Sequence, residues 1–388
     1  MKDRQAVLDP NRTGEEAATL AKALQRLVVG QDEAIGQIVN LYQMHVTGLS
    51  APARPIGNLL LLGPTGSGKT RTVEATAEAL AGDRKSVLKI DCAEFQHSHE
   101  IAKLVGSPPG YLGHRETHAL LTQEALNAHH GRHKISFVLF DEIEKASDAL
   151  WNLLLGILDK ATLTTGDNKR VDFSRTIIFM TSNLGAAEIG NILSPRMGFG
   201  SMLGEAAKPR DPAALDKKIA RSGVDAARRK FTPEFMNRLD KILVFKPLGE
   251  AELRQILDLE IEFVQQRVFE ASDHQHAFVF TVTSRAKEFL LTEGTDTRYG
   301  ARHLKRAIER LLVQPVSNLM ATAQIRRGDW VKVDLHDNGD CLSFLRESEG
   351  MPLNAMSELA NGLSILGLNR LAQSQPERSQ AARSGRRH

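Results

Sequence analysis

The spacing of apolar positions changes along the chain, and each change predicts a structural boundary. Residues 15–27 carry apolar side chains at helical spacing, and a second helical stretch follows 28–31 and runs to residue 45. From residue 51 to 245 short, apolar-rich runs alternate with helical stretches. The runs over 58–62, 86–90, 135–140, 176–181 and 242–245 predict strands buried on both faces, as in a parallel sheet covered by helices on each side. Five such strands joined by crossovers predict an α/β, doubly wound architecture whose ligand sits at the carboxyl ends of the strands. The pattern changes again at 248. A long helix, a strand over 278–282, a helix over 284–291, an amphipathic helix from 301 and a strand pair near Trp330 and Leu342 predict a second, smaller α+β domain. The expected divisions are therefore 1–50, 51–245, 246–346 and a tail over 347–388. In that tail a short amphipathic helix is expected over 353–371, followed by a disordered end rich in Arg, Ser and Gln.

Composition narrows the class without naming a reaction. The 388 residues exceed one typical domain, and 41% hydrophobic with 25% charged residues is the balance of an ordinary globular protein. Fifty basic against 47 acidic side chains leave a formal charge of +3, which provides no whole-molecule field for nucleic acid. Two cysteines, Cys92 and Cys341, are too few for a disulfide framework and point to a reducing compartment. No apolar run follows the first residues as a signal peptide would, and none reaches membrane-spanning length, so a cytoplasmic protein is expected.

The chemistry is concentrated where the predicted strands end. Directly after residues 58–62 comes Gly63-Pro64-Thr65-Gly66-Ser67-Gly68-Lys69-Thr70, followed by a helical stretch over 71–80. Gly63, Gly66 and Gly68 let the backbone turn tightly enough for N–H groups to face phosphates at the positive end of the following helix. Lys69 then reaches the β- and γ-phosphates of ATP, and the Thr70 hydroxyl holds Mg²⁺. The run 135–140 delivers Asp141 and Glu142 at its end, the first suited to Mg²⁺ and the second to orienting or deprotonating a water. Asn183, after the run 176–181, is placed either to hold that water or to touch the γ-phosphate. His97, His99, His114, His118, His129, His130 and His133 lie close in sequence, but their spacing forms no recognisable zinc site.

Taken in order, 63–70, Asp141-Glu142-Ile143-Glu144-Lys145-Ala146, Met180-Thr181-Ser182-Asn183, 231–240 and Arg298-Tyr299-Gly300-Ala301-Arg302 resemble the motifs of AAA+ ATPases. Val105-Gly106-Ser107-Pro108-Pro109-Gly110-Tyr111-Leu112-Gly113 is similar to the pore loop of Clp-type unfoldases and disaggregases. The chain resembles the second ATPase module of the ClpB, ClpA and ClpC machines, standing alone. That resemblance implies a P-loop module with a small carboxyl-terminal lid, assembled as a homo-oligomeric ring, a hexamer, that threads polypeptide through a central pore. It implies that Arg238 is the finger a neighbouring subunit inserts at the γ-phosphate and that Arg302 is the sensor arginine of the small domain. Val28, Val29 and Ile256 match positions lining the adenine pocket. Tyr111 and Leu112 match the substrate grip, held out by Pro108-Pro109-Gly110, and 162–170 resembles the lower pore loop.

The departures carry expectations of their own. His114-Arg115-Glu116-Thr117-His118 replaces the acidic, glycine-rich stretch that follows the pore loop in the relatives, so the pore entrance is expected to differ in charge. Within these 388 residues a first ring, a middle domain and an amino-terminal substrate domain are not expected. Between Asn183 and Arg238 lies a Gly-, Pro- and charge-rich insertion containing Met197-Gly198-Phe199, a match to the tripeptide by which protease-coupled relatives dock a barrel peptidase. An ATPase partner of such a peptidase, and an ATP-controlled assembly or scaffold factor, are the alternatives to a self-sufficient unfoldase.

Overall fold

The computed structural model describes residues 9–107, 119–128, 130–131, 133–193, 212–270, 277–295, 300–352, 355–356 and 358. The chain divides into two units, Met1–Pro247 and Leu248–His388. In the first, helices α1 (Glu15–Leu27) and α2 (Asp32–Val46) precede strand β1 (Gly57–Leu62), helix α3 (Lys69–Ala81) and strand β2 (Leu88–Asp91). Short helices α4 (Ala102–Val105) and α5 (Gln123–Asn127) lead to β3 (Ser136–Asp141) and α6 (Asp148–Lys160). A hairpin of β4 (Thr162–Thr164) and β5 (Arg170–Asp172) is followed by β6 (Thr176–Ser182), α7 (Ala186–Leu193), α8 (Pro212–Lys230), α9 (Pro233–Met236) and β7 (Lys241–Val244).

The central sheet has the order β2-β3-β6-β1-β7, with every neighbouring pair parallel. Strands β1, β3 and β6 read as apolar runs because both faces are covered, whereas the edge strand β2 exposes Lys89 and Asp91. Leu59, Leu60, Leu61 and Leu62 are each 0% exposed. Leu59 and Leu61 join Phe137, Leu139, Ile177 and Phe179 in one core, whereas Leu60 and Leu62 join Val138, Phe140, Ile178 and Met180 in the other. Alternate residues thus serve opposite faces, and each fully buried leucine contributes roughly 1.5–3 kcal/mol. Leu20 and Leu24 of α1 and Ile35 and Ile38 of α2 belong to the first of these cores, so the helices expected over residues 1–50 pack with the sheet.

Two local differences have simple causes. Strand β2 begins at Leu88 instead of residue 86, because the Ser86 N–H donates to the Asp83 carbonyl (3.0 Å) in a turn. The stretch between Asn183 and Arg238, which reads as a loop, contains α7, α8 and α9. Helix α8 buries Ile219, Ala226 and Ala227 while exposing Lys217, Lys218, Arg221, Arg228, Arg229 and Lys230, and this charge obscures its narrow apolar stripe. Met197-Gly198-Phe199 lies outside the described residues.

The second unit holds α10 (Glu250–Glu270), β8 (Val279–Val282), α11 (Ser284–Gly294), α12 (Ala301–Ile308), α13 (Gln314–Ala321), β9 (Trp330–Leu335) and β10 (Leu342–Ser348). A π-helical turn, Glu309–Val313, joins α12 to α13. Strand β9 pairs antiparallel with β10 and parallel with β8, over a core that includes Leu257, Phe278, Leu290, Leu304, Leu312 and Val333. Of the helix expected over 353–371, residues 355, 356 and 358 are described and helical, with Met356 buried against Phe269, Ala277 and Val279.

Candidate functional site

Strand register brings the sequence motifs to one edge of the sheet. Leu62 at the end of β1 lies opposite Ser182 of β6 and Val244 of β7, and Phe140 of β3 lies opposite Met180 of β6. The residues that follow, Gly63, Asn183 and Asp141-Glu142, therefore leave three adjacent strands side by side. At Gly63 φ is +140°, and a Cβ there would lie 2.6 Å from the Phe245 carbonyl oxygen, so only glycine fits. Gly68 precedes α3 in the left-handed region (φ 99°) and supplies no side-chain cap, which leaves the first-turn N–H groups of α3 for an anion. The Ser67 hydroxyl donates to the Pro64 carbonyl (2.8 Å) and tightens the loop.

A chain of polar contacts crosses from this loop to the carboxylates. Lys69 is buried, and its Nζ donates to the carbonyls of Gly63 (2.7 Å) and Pro64 (2.9 Å) and to Asn183 Oδ1 (3.0 Å). Asn183 Nδ2 in turn donates to Glu142 Oε1 (3.3 Å), and the Asn183 N–H donates to Glu144 Oε1 (3.1 Å). Thr65 Oγ1 lies 3.5 Å from Asn183 Oδ1. Glu142 has φ 56° and ψ 47°, a left-handed conformation that a glutamate adopts only when surrounding contacts enforce it. One of those contacts is Thr181, whose Oγ1 accepts from the Glu142 N–H (3.1 Å) and donates to Asp141 Oδ1. Glu142 Oε2 also pairs with Lys145 (2.5 Å), and this hydrogen bond raises the Lys145 pKa. Beneath the acids, burial pushes the Cys92 thiol pKa well up, and Asp91, Asp141, Glu144 and Glu142 add to the shift.

This donor set suits a polyphosphate: one buried ammonium, a glycine-lined loop and an uncapped helix start. Thr70, half-buried in the first turn of α3, and Asp141 offer hydroxyl and carboxylate oxygens of the kind a magnesium ion takes. The sequence motifs assign no role to Thr181 or Gln31. Gln31 is 5% exposed, and its Nε2 donates to the carbonyls of Ser67 (3.0 Å) and Lys246 (3.0 Å), while its Oε1 accepts from the Lys246 N–H (3.3 Å). It clamps the phosphate loop to the chain leaving β7. A polar residue heading an acidic helix gives no sign in the sequence that it will be buried.

The remaining expected site residues are spread more widely. Val28 is buried in the core containing α1 and α2, and Val29 is half-buried beside it. A cavity of about 80 Å³ opens nearby, lined by Gly30 to Ala34, Leu243, Val244 and Lys246. Arg238 lies at the amino end of β1, where the Asn58 side chain donates to its carbonyl (3.2 Å), at the opposite end of the strand from Gly63. Ile256 packs against the core of the second unit, and Arg302 is exposed in the first turn of α12. Tyr111 and Leu112 lie outside the described residues.

Residues 162–170, which resemble a lower pore loop, form the β4–β5 hairpin and its tip. The Gly166 N–H donates to the Val105 carbonyl (2.7 Å), and a Cβ on Gly166 would lie 2.6 Å from the Gly106 oxygen, so the hairpin rests on the stretch leading to Tyr111. Thr165 donates to Asp167 (2.5 Å) and Lys169 pairs with it (2.9 Å), and these contacts hold the Asp167 pKa down to about 2. A cleft of about 590 Å³ opens here between Val105, Ala119, Gln123 and Lys169.

Comparison with known proteins agrees with this geometry. Residues 54–242 match the family described as AAA domain (Cdc48 subfamily), and residues 248–333 match the C-terminal, D2-small domain, of ClpB protein. Chaperone protein ClpB of Bdellovibrio bacteriovorus is 36% identical over 322 residues, which is 83% of this chain and 34% of that protein. Among solved structures, a closed-state reconstruction of Hsp104 with ATPγS and FITC casein has a TM-score of 0.67 at 30% identity, covering 85% of this chain and 52% of that one. The S. cerevisiae Hsp104–ADP complex has a TM-score of 0.67 at 28% identity, covering 87% and 53%. The chain spans about a third of the length of the curated relatives it matches. With a phosphate loop, paired acids and a polar strand tip converging on one sheet edge, and a D2-type small unit following, the chain belongs to the Clp-type AAA+ ATPases.

Proposed function

We propose that this module hydrolyses ATP within a homo-oligomeric ring, a hexamer, and uses the cycle to pull polypeptide through a central pore as an unfolding chaperone. The observation that carries the reading is the hydrogen-bonded path Lys69–Asn183–Glu142 across the strand tips. Bound Mg-ATP supplies the phosphoanhydride whose γ-phosphoryl group passes to water. Lys69 and the loop from Gly63 to Thr70 hold the phosphates, and Thr70 with Asp141 would hold Mg²⁺. Glu142 accepts the proton of the attacking water, and Asn183 fixes both that carboxylate and the water. Val28 and Val29 line the adenine.

Arg238 acts in trans. Its place at the amino end of β1 keeps it from the phosphate loop of its own subunit and supports delivery to a neighbour, where a cation stabilises charge in the transition state. Arg302, in the small unit, acts as the sensor of the γ-phosphate. Tyr111 and Leu112 grip the polypeptide by apolar contact without sequence readout, and the β4–β5 hairpin rests on Val105 and Gly106, which precede them in the chain. No helix among the described residues is long and apolar enough to cross a membrane, and the cytoplasm is the proposed location. No feature of the described residues favours a peptidase partner or a dedicated scaffold.

Two variants test the reading. Glu142→Gln should retain ATP binding and assembly while abolishing turnover. Tyr111→Ala should hydrolyse ATP but fail to unfold a stable fluorescent protein bearing an unstructured tail. Normal turnover in the first, or undiminished unfolding in the second, contradicts the corresponding assignment.

A further inference from the structure

We propose that Asn58 is a positioning residue for Arg238, setting the cation that one subunit offers to the next; this rests on the trans reading of Arg238. The Asn58 side chain is 0% exposed at the start of β1. Its Nδ2 donates to two carbonyls, those of Leu158 (3.1 Å) and Arg238 (3.2 Å). Leu158 lies in the last turn of α6, where carbonyls lack intrahelical partners, and the amide meets that need. The next residue, Asp159, faces the Arg238 guanidinium at 3.6 Å, and Glu234 approaches it at 3.5 Å. One side chain therefore fixes both the backbone of the cation and the helix end carrying its acidic neighbour.

The backbone reinforces the clamp. The Asn58 N–H donates to Asp240 Oδ2 (2.8 Å), and the Asp240 N–H donates to the Asn58 carbonyl (2.9 Å). Asn58 Oδ1, by contrast, is buried with no hydrogen-bond partner among the described residues. An amide kept in a core with its acceptor unsatisfied is retained for its two donors, because serine supplies one and an ionised aspartate none. The hydrogen bonds of Asn58 go to Leu158, Arg238 and Asp240 and not to its own phosphate loop, so its influence on hydrolysis runs through Arg238.

Mixed rings test this. An Arg238→Ala subunit keeps its own site, and Glu142→Gln neighbours lend it intact cations, so mixing these two silent variants should restore turnover. Asn58→Ser and the volume-conserving Asn58→Asp should each lower turnover at least tenfold, with ATP affinity within threefold of the parent, and Glu142→Gln subunits should rescue them as they rescue Arg238→Ala. In the nucleotide-free protein, amide exchange over 236–240 should accelerate at least tenfold while that of 60–62 holds. If neither Asn58 variant folds, Asp159→Asn weakens the Arg238 guanidinium contact at the helix end that Asn58 holds and should lower turnover with the same rescue, and parental turnover in it overturns the proposal. Parental turnover in the folded variants, or a loss that is not rescued where Arg238→Ala is rescued, overturns the proposal. Full turnover by Arg238→Ala alone would overturn the trans reading instead, and the proposal with it.

Discussion

Replacing Thr181 by valine conserves the shape of a residue that is 1% exposed but removes the hydroxyl shared by Asp141 and the Glu142 N–H. A hydrogen bond to a charged group contributes about 1.5–3 kcal/mol, and a buried N–H left without an acceptor costs about 1–3 kcal/mol. The left-handed backbone of Glu142 (φ 56°) stores a further cost on the order of 1–3 kcal/mol, which the native contacts hold in place. Without the hydroxyl, rotating the Glu142 peptide relieves both the unpaired N–H and the backbone cost. A shift of about 2 kcal/mol against the working geometry leaves it roughly thirtyfold less populated, since each 1.4 kcal/mol is a factor of ten. We expect kcat of Thr181→Val, measured by phosphate release at saturating ATP, to fall about 10–100-fold. Nucleotide affinity, measured by titration, should stay within threefold because Lys69 and its loop are untouched. Thr181→Ser should stay near the parental rate. A Thr181→Val kcat within twofold of the parent, or a loss of affinity as large as the loss of kcat, would refute this account of Glu142.

Three further outcomes are expected. Gln31→Leu removes three hydrogen bonds between the phosphate loop and the chain after β7, and should destabilise the first unit by about 2–4 kcal/mol and weaken nucleotide binding, as read by thermal melts with and without ATP; an unchanged melting temperature argues against the clamp. Burial raises the Cys92 pKa while Cys341 is exposed, so iodoacetamide at neutral pH should label Cys341 and reach Cys92 only after unfolding. The Asp167 pKa is depressed from 3.8 to about 2, so its contribution to the β4–β5 tip is full above the unfolded value and is lost as pH falls between about 4 and 2; a carboxyl titration midpoint near 3.8 would exclude the Thr165 and Lys169 contacts.

The five strands of the central sheet, the phosphate loop and the acids were legible in residue order, because each depends on local features, whereas the β4–β5 hairpin was not. Apolar runs specify strands buried on both faces, and glycines at fixed spacing specify a loop whose turns need residues without a Cβ. Residue order likewise identified the family. It could not supply Thr181, Gln31 or Asn58, whose partners lie far along the chain and meet them only when β6 pairs with β1 and β3, or β7 with β1. Nor did it reveal α8, since a helix dense in lysine and arginine with a narrow buried stripe resembles a solvated insertion until Ala227 is seen in the core. Threonine, glutamine and asparagine serve equally well on a surface. Tertiary structure alone decides which of them is buried, and a buried polar group must then find a partner, so burial is what turns these three from ordinary polar residues into parts of a working site.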